Sequence, residues 1–261
     1  MLGFKKHGKK QNERKEQKML KFILVFLLFC VLFNIVPKWK YIYIQKGTKL
    51  INEGKKEEGL KYFEMGAYGK KTDYMTKIRY AFCELKFGDI KKAKKMIMYI
   101  LNEKVPLNIR YEAKSIYAII LYKEGDLEEA KEAMLSVYEN YKTTNMYCTL
   151  GYLFNMLEAP EKAVEFNTEA YEYNSDKDVI VDNLAQSYYL IGEFEKAEEL
   201  YRDLIEKEPA FPEAYYNYGL TLTALNNKDK AKEMFEKALT KSFHNLTTVT
   251  IKEVENQLHQ L

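Results

Sequence analysis

A residue pattern repeated at a fixed distance of 34 positions is the strongest constraint on how this chain can fold. It occurs twice between Asp178 and Asn245. The matching positions are Leu184, Ala185, Tyr188, Gly192, Ala197, Tyr201 and Leu204, which correspond to Tyr218, Gly219, Leu222, Asn226, Ala231, Phe235 and Ala238. A fixed period of this length is typical of stacked helical hairpins, each too small to bury its apolar face alone. We therefore predict an all-α stack of repeats.

Two columns of small residues extend the same register through six units. The first column is Gly47, Ala81, Ala118, Gly151, Ala185 and Gly219, and the second, 12 positions later, is Gly59, Ala93, Ala130, Ala163, Ala197 and Ala231. Successive members are 34, 37, 33, 34 and 34 residues apart in both columns. Small side chains allow paired helices to approach closely. The columns therefore predict two closely packed helices in every unit.

A third column separates the two helices of each unit, and a fourth supplies large side chains to the core. The third is Gly54, Gly88, Gly125, Glu158, Gly192 and Asn226, where glycine or asparagine suits a residue that ends a helix at positive φ. In the exceptional fourth unit, Pro160 can begin the second helix. The large residues are Phe63, Ile97, Met134, Phe166, Tyr201 and Phe235, and Phe166 lies one position early in this register.

Together these columns resemble tetratricopeptide repeats. The resemblance covers six units, at residues 40–73, 74–110, 111–143, 144–177, 178–211 and 212–245. It implies a right-handed α-solenoid whose first helices line a concave groove. The segment 246–261 carries an apolar stripe with polar residues opposite, at Ile251, Val254, Leu258 and Leu261. This spacing predicts a capping helix that closes the end of the stack.

Residues 22–36 form an apolar run without charge, and we predict a single transmembrane helix over 19–37. The basic residues 1–18 before it predict a disordered tail. Eight lysines and arginines occur in residues 1–21 and six in residues 37–56. Because basic flanks are retained in the cytoplasm, this bias predicts a cytoplasmic amino terminus and an extracytoplasmic repeat domain.

An apolar run of this kind has three alternatives to an uncleaved anchor. A cleaved signal peptide needs a site of small residues after the apolar run, and residues 34–39 contain none. A bacterial lipoprotein signal needs a small residue before Cys30, where Phe29 stands. A buried helix of a soluble fold is the third, although so dense an apolar run fits lipid better than one-sided packing.

Charge is strongly segregated along the chain. Residues 1–123 carry 28 basic and 11 acidic side chains, whereas residues 124–216 carry 7 basic and 22 acidic side chains. The basic part is suited to anionic lipid headgroups. Phosphate binding does not depend on sequence, and the repeats adjacent to the basic ones are acidic, which argues against nucleic acid as a partner.

No motif indicates catalysis. The three histidines, His7, His244 and His259, are scattered, and the three cysteines have no metal-binding or redox spacing. Paired acids such as Glu128 and Glu129 are typical of solvated helix faces. We therefore predict a protein that is not an enzyme and uses no cofactor or metal.

The resemblance implies a partner-binding groove, and the family's groove-facing places can be carried over position by position. They fall on Tyr122, Cys148, Tyr152, Asn155, Asp182, Gln186, Tyr189 and Tyr216. Tyrosine offers a large contact area for little loss of rotamer entropy, and amides can pair with the backbone of an extended peptide. The same tyrosines could also serve only to pack neighbouring helices together.

The groove composition also predicts the kind of partner. Family members that clamp a terminal carboxylate have lysine and asparagine at places where this chain has Ser115, Cys148 and Asp182. An acidic ligand would also be repelled by the acidic region, so we predict a neutral or basic protein or peptide. The predicted function is a membrane-anchored scaffold that assembles or regulates a complex. The alternative is a sensor whose solenoid changes curvature when a peptide binds, near the 37-residue interval at Pro106.

Overall fold

The computed structural model describes residues 19, 21, 41–69 and 72–261. Within these ranges all regular structure is helical, as the repeat pattern predicts, and no strand occurs. The predicted tail 1–18 and the predicted transmembrane helix 19–37, apart from Met19 and Lys21, lie outside the described residues. Inside them, no helix combines the length and the apolar character needed to span a bilayer.

The helices from residue 41 onward follow one another along the chain, and the longest connection, residues 240–250, precedes the last helix. They are α1 (residues 41–52), α2 (Lys56–Ala67), α3 (Tyr74–Phe87), α4 (Ile90–Asn102), α5 (Leu107–Glu124), α6 (Leu127–Tyr138), α7 (Thr144–Leu157), α8 (Pro160–Tyr173), α9 (Asp178–Leu190), α10 (Phe194–Glu206), α11 (Pro212–Ala224), α12 (Lys228–Leu239) and α13 (Ile251–Gln260). The predicted capping segment 246–261 thus comprises a loop to Thr250 and the helix α13.

The described chain divides into two compact units, one ending at Thr72 and one beginning at Asp73. The first unit holds the hairpin of α1 and α2. A Cβ atom on Gly47 would lie 2.8 Å from the carbonyl oxygen of Gly59, so only glycine allows the two backbones to approach so closely. The turn between the helices contains Gly54 at φ +82°, a left-handed conformation that favours glycine.

The second unit is a series of five hairpins, α3–α4, α5–α6, α7–α8, α9–α10 and α11–α12, followed by α13. The small residues of the second column are fully buried in the second helix of each hairpin, at Ala93, Ala130, Ala163, Ala197 and Ala231. The second helix of each hairpin therefore packs through its small residue, as this column predicts.

The predicted positive φ occurs at three of the five turns in this unit, at Gly125, Gly192 and Asn226. The prediction is wrong for Gly88, whose φ is −130°. There the carboxylate of Glu84 accepts a hydrogen bond from the Asp89 amide at 3.0 Å, so the turn is stabilised by a side chain. Glycine in this column therefore has two different structural roles.

The 37-residue interval is accommodated by a longer helix. Helix α5 has 18 residues and follows Pro106, and the guanidinium of Arg110 on its first turns donates to the carbonyl oxygens of Leu101 and Glu103, both at 3.1 Å. These carbonyls lie at the end of α4, where backbone acceptors lack helical partners. The interval therefore contains a charge-assisted tie between α4 and α5.

Candidate functional site

All eight predicted groove residues lie on α5, α7, α9 and α11, the first helices of four consecutive hairpins. Helix α7 packs on α9, and α9 packs on α11. We call the surface formed by these four first helices the inner face. The structure thus places the predicted residues on one row of neighbouring helices, and the contacts of each residue show what it can do there.

Tyr122 and Tyr152 form the link between α5 and α7. Their hydroxyl oxygens are 2.7 Å apart, and their rings meet edge to face with centroids separated by 5.4 Å. Burial is the main cause that raises the pKa of the Tyr152 hydroxyl, followed by the hydrogen bond with Tyr122. Both rings are half-buried, so the pair is a preformed aromatic platform at the inner face.

Asn155 and Gln186 join α7 to α9. The Asn155 amide donates to the Gln186 side-chain oxygen at 3.2 Å and to the backbone carbonyl of Asn183 at 2.8 Å. In the same way the Asn183 side chain donates to the carbonyl of Cys148 at 2.9 Å. Asn155 is only 9% exposed, so most of its hydrogen-bonding capacity is used within the chain. Cys148 is half-buried, and burial raises the pKa of its thiol to about 11.

A buried polar network behind Asn155 was not predicted. Asn167 of α8 is fully buried and its amide lies within hydrogen-bonding distance of the Asn155 side-chain oxygen at 3.1 Å and the Ser187 hydroxyl at 2.8 Å. Asn167 occupies the register of the large core residues, which explains why Phe166 came one position early. Its side chain lies where a Cβ on Gly151 would be, so the glycine makes room for the amide.

Asp182 is buried on α9 and accepts a hydrogen bond from the Asn217 amide at 3.1 Å. Burial is the main reason why the pKa of this carboxyl is raised from 3.8 to about 7; the hydrogen bond from Asn217 opposes the shift, and the nearby carboxylate of Glu213 contributes to it. The Tyr201 hydroxyl donates to the Asp182 backbone carbonyl at 3.4 Å. Asp182 thus joins α9 to α11 and also places an ionisable group beneath the inner face.

The remaining two predicted residues contact second helices. Tyr189 lies 5.5 Å from the Phe194 ring of α10, and Tyr216 lies 5.8 Å from the Phe235 ring of α12, measured between centroids. Both tyrosines are half-buried and pack against the core of the last two hairpins. Part of each ring therefore stabilises its hairpin, and part stays accessible at the inner face.

The most informative feature is a stretch of loop that crosses back to earlier hairpins. We call residues His244–Thr248, between α12 and α13, the crossing segment. The Asn245 backbone N–H donates to the Lys86 carbonyl at 3.1 Å, and its side-chain amide donates to the Gly88 carbonyl at 3.0 Å. The His244 and Phe87 rings meet edge to face at 5.7 Å. These contacts connect the end of the unit to the α3–α4 turn, 157 positions earlier.

Further along, the crossing segment lies on the inner face itself. The Lys123 ammonium of α5 donates to the Thr247 carbonyl at 3.2 Å, and Glu213 of α11 accepts from the Thr248 backbone N–H at 2.7 Å. Burial lowers the pKa of Lys123 and raises that of Glu213, and the attraction between the two charges opposes both shifts. The Thr248 hydroxyl is also a neighbour of the Tyr152 hydroxyl.

Sequence reasoning missed Lys123, Glu213 and the crossing segment. Glu213 follows Pro212 at the start of α11, where an acid is ordinary, and Lys123 is one of many lysines in the basic part of the chain. A loop has no hydrophobic period, so its contacts cannot be inferred from spacing. The position of Phe166, one residue early in its column, was the sequence signal that pointed to the Asn167 network.

Two segments of the chain match models of the tetratricopeptide repeat, at residues 182–210 and 212–240. These matches coincide with α9–α10 and α11–α12, the pair in which the 34-residue pattern is clearest. They confirm the resemblance for these two repeats. Tetratricopeptide repeat proteins are protein-interaction scaffolds, and this class is typically not enzymatic.

Solved structures extend the likeness to most of the chain. A tetratricopeptide repeat protein from Parabacteroides merdae is similar with a TM-score of 0.66 at 16% identity, over 85% of this chain and 84% of that chain. PilF of Pseudomonas aeruginosa is similar with a TM-score of 0.57, also at 16% identity, over 85% of this chain and 98% of that one. At this identity the likeness shows a shared helical-repeat fold.

Proposed function

We propose that this chain, whose residues 182–240 carry two tetratricopeptide repeats, is a membrane-anchored scaffold that binds a partner protein or extended peptide on its inner face. Binding there would assemble or regulate a membrane-associated complex. The fold supports an interaction role because its repeats present a row of neighbouring helices. The half-buried residues Tyr122, Tyr152, Gln186 and Tyr189 supply aromatic and amide contacts on that row.

The observation that carries the proposal is the way in which the inner face holds non-helical chain. Lys123 binds a backbone carbonyl and Glu213 binds a backbone N–H of two consecutive residues, Thr247 and Thr248. Groups that recognise the main chain can do so in any extended segment. The inner face therefore has the chemistry required to bind an extended peptide.

The charges on this face support a neutral or basic partner. Asp182 is buried and Glu213 is half-buried, and the two acids interact electrostatically. One carboxylate oxygen of Glu213, Oε2, is buried without a hydrogen-bond donor among the described residues. An added carboxylate would be repelled here, whereas an N–H, hydroxyl or ammonium group would be stabilised. Segments rich in aspartate and glutamate should therefore be absent from captured partners.

The groove assignment can be tested by crosslinking and capture from intact membranes. We expect Gln186→Ala and Tyr189→Ala to reduce recovery of one common partner at least about fivefold, because removal of interface side chains costs about 1 kcal/mol or more at sites that contribute. Glu199→Ala, an exposed residue of α10 on the same hairpin, is the matched control and should not change recovery. The same partner set from all variants would contradict the assignment of the groove.

The anchor places this face at a membrane, which raises the effective concentration of membrane-bound partners. We propose that residues 19–37 span the bilayer with the repeats on the extracytoplasmic side, as the distribution of basic residues predicts. A cysteine added after Leu261, with the native cysteines changed to serine, should react with an impermeant reagent on whole cells. Protection until the cells are permeabilised would reverse the proposed sidedness.

One observation favours the alternative of a peptide-responsive sensor. The crossing segment bonds the α3–α4 turn at Lys86 and Gly88 and also bonds α5 and α11. A ligand that displaced it would remove ties between distant hairpins of the second unit. Small-angle scattering with and without bound peptide separates a sensor, which would change shape, from a scaffold of constant shape.

A further inference from the structure

The crossing segment contacts the inner face mainly through its backbone. Two consecutive residues present one acceptor and one donor, the Thr247 carbonyl to Lys123 and the Thr248 N–H to Glu213. At its other end the Asn245 N–H pairs with the Lys86 carbonyl. In a helix these groups would bond within the segment. The segment itself turns at 244–247, where the Thr247 N–H donates to the His244 carbonyl at 3.0 Å, and the peptide group that follows this turn is held by Lys123 and Glu213.

The residues that flank the crossing segment fasten it on both sides. Phe243 is half-buried against the core of the last hairpins, and Val249 is 4% exposed in the same core. Within the segment, Asn245 and Thr248 are exposed and no side chain is buried. Helix α13 is fixed separately by buried Val254 and by a capping box between Thr250 and Glu253. Residues 244–248 can thus detach while both flanks stay packed.

Glu213 indicates how a ligand from outside could compete. Its Oε1 atom accepts the Thr248 N–H, whereas its Oε2 atom is buried and lacks a donor among the described residues. An unsatisfied buried acceptor is unfavourable. A ligand that supplied a second donor at this position would make a bond that the crossing segment leaves unmade.

We propose that the crossing segment is a built-in occupant of the inner face and that it must leave before a partner segment binds. This inference rests on the proposed function, and it defines the partner more closely. The ligand is a segment with hydroxyl or amide side chains that can turn as His-Asn-Leu-Thr-Thr does, and it presents one peptide group whose N–H meets Glu213 and whose carbonyl meets Lys123. The resting protein is therefore autoinhibited.

The probe is a fluorescent synthetic peptide of residues 241–250, added to the full chain in lipid nanodiscs. The release variant combines Asn245→Ala with Thr248→Pro, because proline has no N–H to donate to Glu213. A tethered segment has an effective concentration on the order of 1 mM, so its release should tighten peptide binding at least about tenfold. Ser242→Ala, an exposed change just before the segment, is the matched control and should bind as wild type does.

Glu213→Ala in the release background should abolish the gain in affinity. Equal peptide affinity for wild type and the release variant would overturn the proposal, and so would absence of binding to a release variant that keeps the wild-type thermal midpoint. Hydrogen exchange on the unmodified chain provides a measurement that does not depend on the variants folding. The peptide should accelerate exchange at the Asn245 and Thr248 amides, and unchanged protection at saturating peptide would overturn the displacement.

Failure of the proposed function has a different signature. If the release variant captures a membrane partner no better than wild type, while Gln186→Ala loses that partner, the groove function stands and autoinhibition is wrong. If neither wild type nor the release variant yields a partner that depends on Gln186, the groove function fails, whatever the peptide affinities are.

Discussion

Replacing Phe235 with alanine is expected to lower the free energy of unfolding by about 3–5 kcal/mol, the range for removal of a buried aromatic ring. Phe235 is fully buried in the core that α11 and α12 share with α13. Its ring lies directly against Gly219, where a Cβ atom would be 2.5 Å from Cε1. The surrounding helices cannot close the resulting cavity without moving their backbones. Urea unfolding followed by circular dichroism measures the loss.

A double-mutant cycle tests the pairing of Phe235 with Gly219. Alone, Gly219→Ala should cost about 1–3 kcal/mol because the ring must shift. In the Phe235→Ala background the added methyl group enters the cavity, so the two losses should fall short of additivity by at least about 1 kcal/mol. Phe82→Ala, at a ring that is 37% exposed on α3, is the matched control and should cost much less. Strict additivity would show that the ring and the glycine are not coupled.

Replacing Asp182 with asparagine is expected to stabilise the protein increasingly as the pH rises from about 4 to about 7. In the folded state the carboxyl is buried and its pKa is raised from 3.8 to about 7. Below pH 4 the wild-type side chain is neutral in both states. Between pH 4 and 7 it ionises in the unfolded state only, which favours unfolding. Above pH 7 this loss of folding stability reaches its full value. This difference in pKa corresponds to roughly 4 kcal/mol.

Asparagine removes this penalty because it keeps the Oδ1 acceptor for Asn217 and cannot ionise. The advantage of the variant over wild type should grow from pH 4 to pH 7 and then stay constant, as measured by urea unfolding at several pH values. Asp203→Asn provides the matched control, since its side chain is 71% exposed, and its effect should be small. An advantage independent of pH would contradict the assignment to Asp182.

Much of the helical packing could be inferred from spacing. The alanines of the second column are fully buried, and Gly47 and Gly59 approach as closely as small residues allow. Spacing succeeds there because neighbouring repeats impose the same local packing on each unit. Spacing wrongly predicted a left-handed conformation for Gly88. There the turn is stabilised by a hydrogen bond from the Asp89 backbone N–H to the Glu84 carboxylate.

The candidate site was predictable only as a row of helices. The carried-over positions do lie on α5, α7, α9 and α11, but their side chains have unequal roles, since Tyr122 and Tyr152 pair at the inner face whereas Asn155 is bonded within the stack. Burial and partners depend on neighbouring hairpins, so a single repeat cannot specify them. The roles of Lys123 and Glu213 follow only from their contacts with the crossing segment, which the sequence does not predict.

The sequence by itself determined the all-helical repeat, because a 34-residue period and its small-residue columns are local properties that every hairpin repeats. Tertiary structure alone decided that residues 244–248 lie on the inner face and bond to residues 86–88. One of those contacts joins the backbone groups of two distant residues, the Asn245 N–H and the Lys86 carbonyl. Every residue carries the same backbone donors and acceptors, so their pairing leaves no signature in the order of side chains.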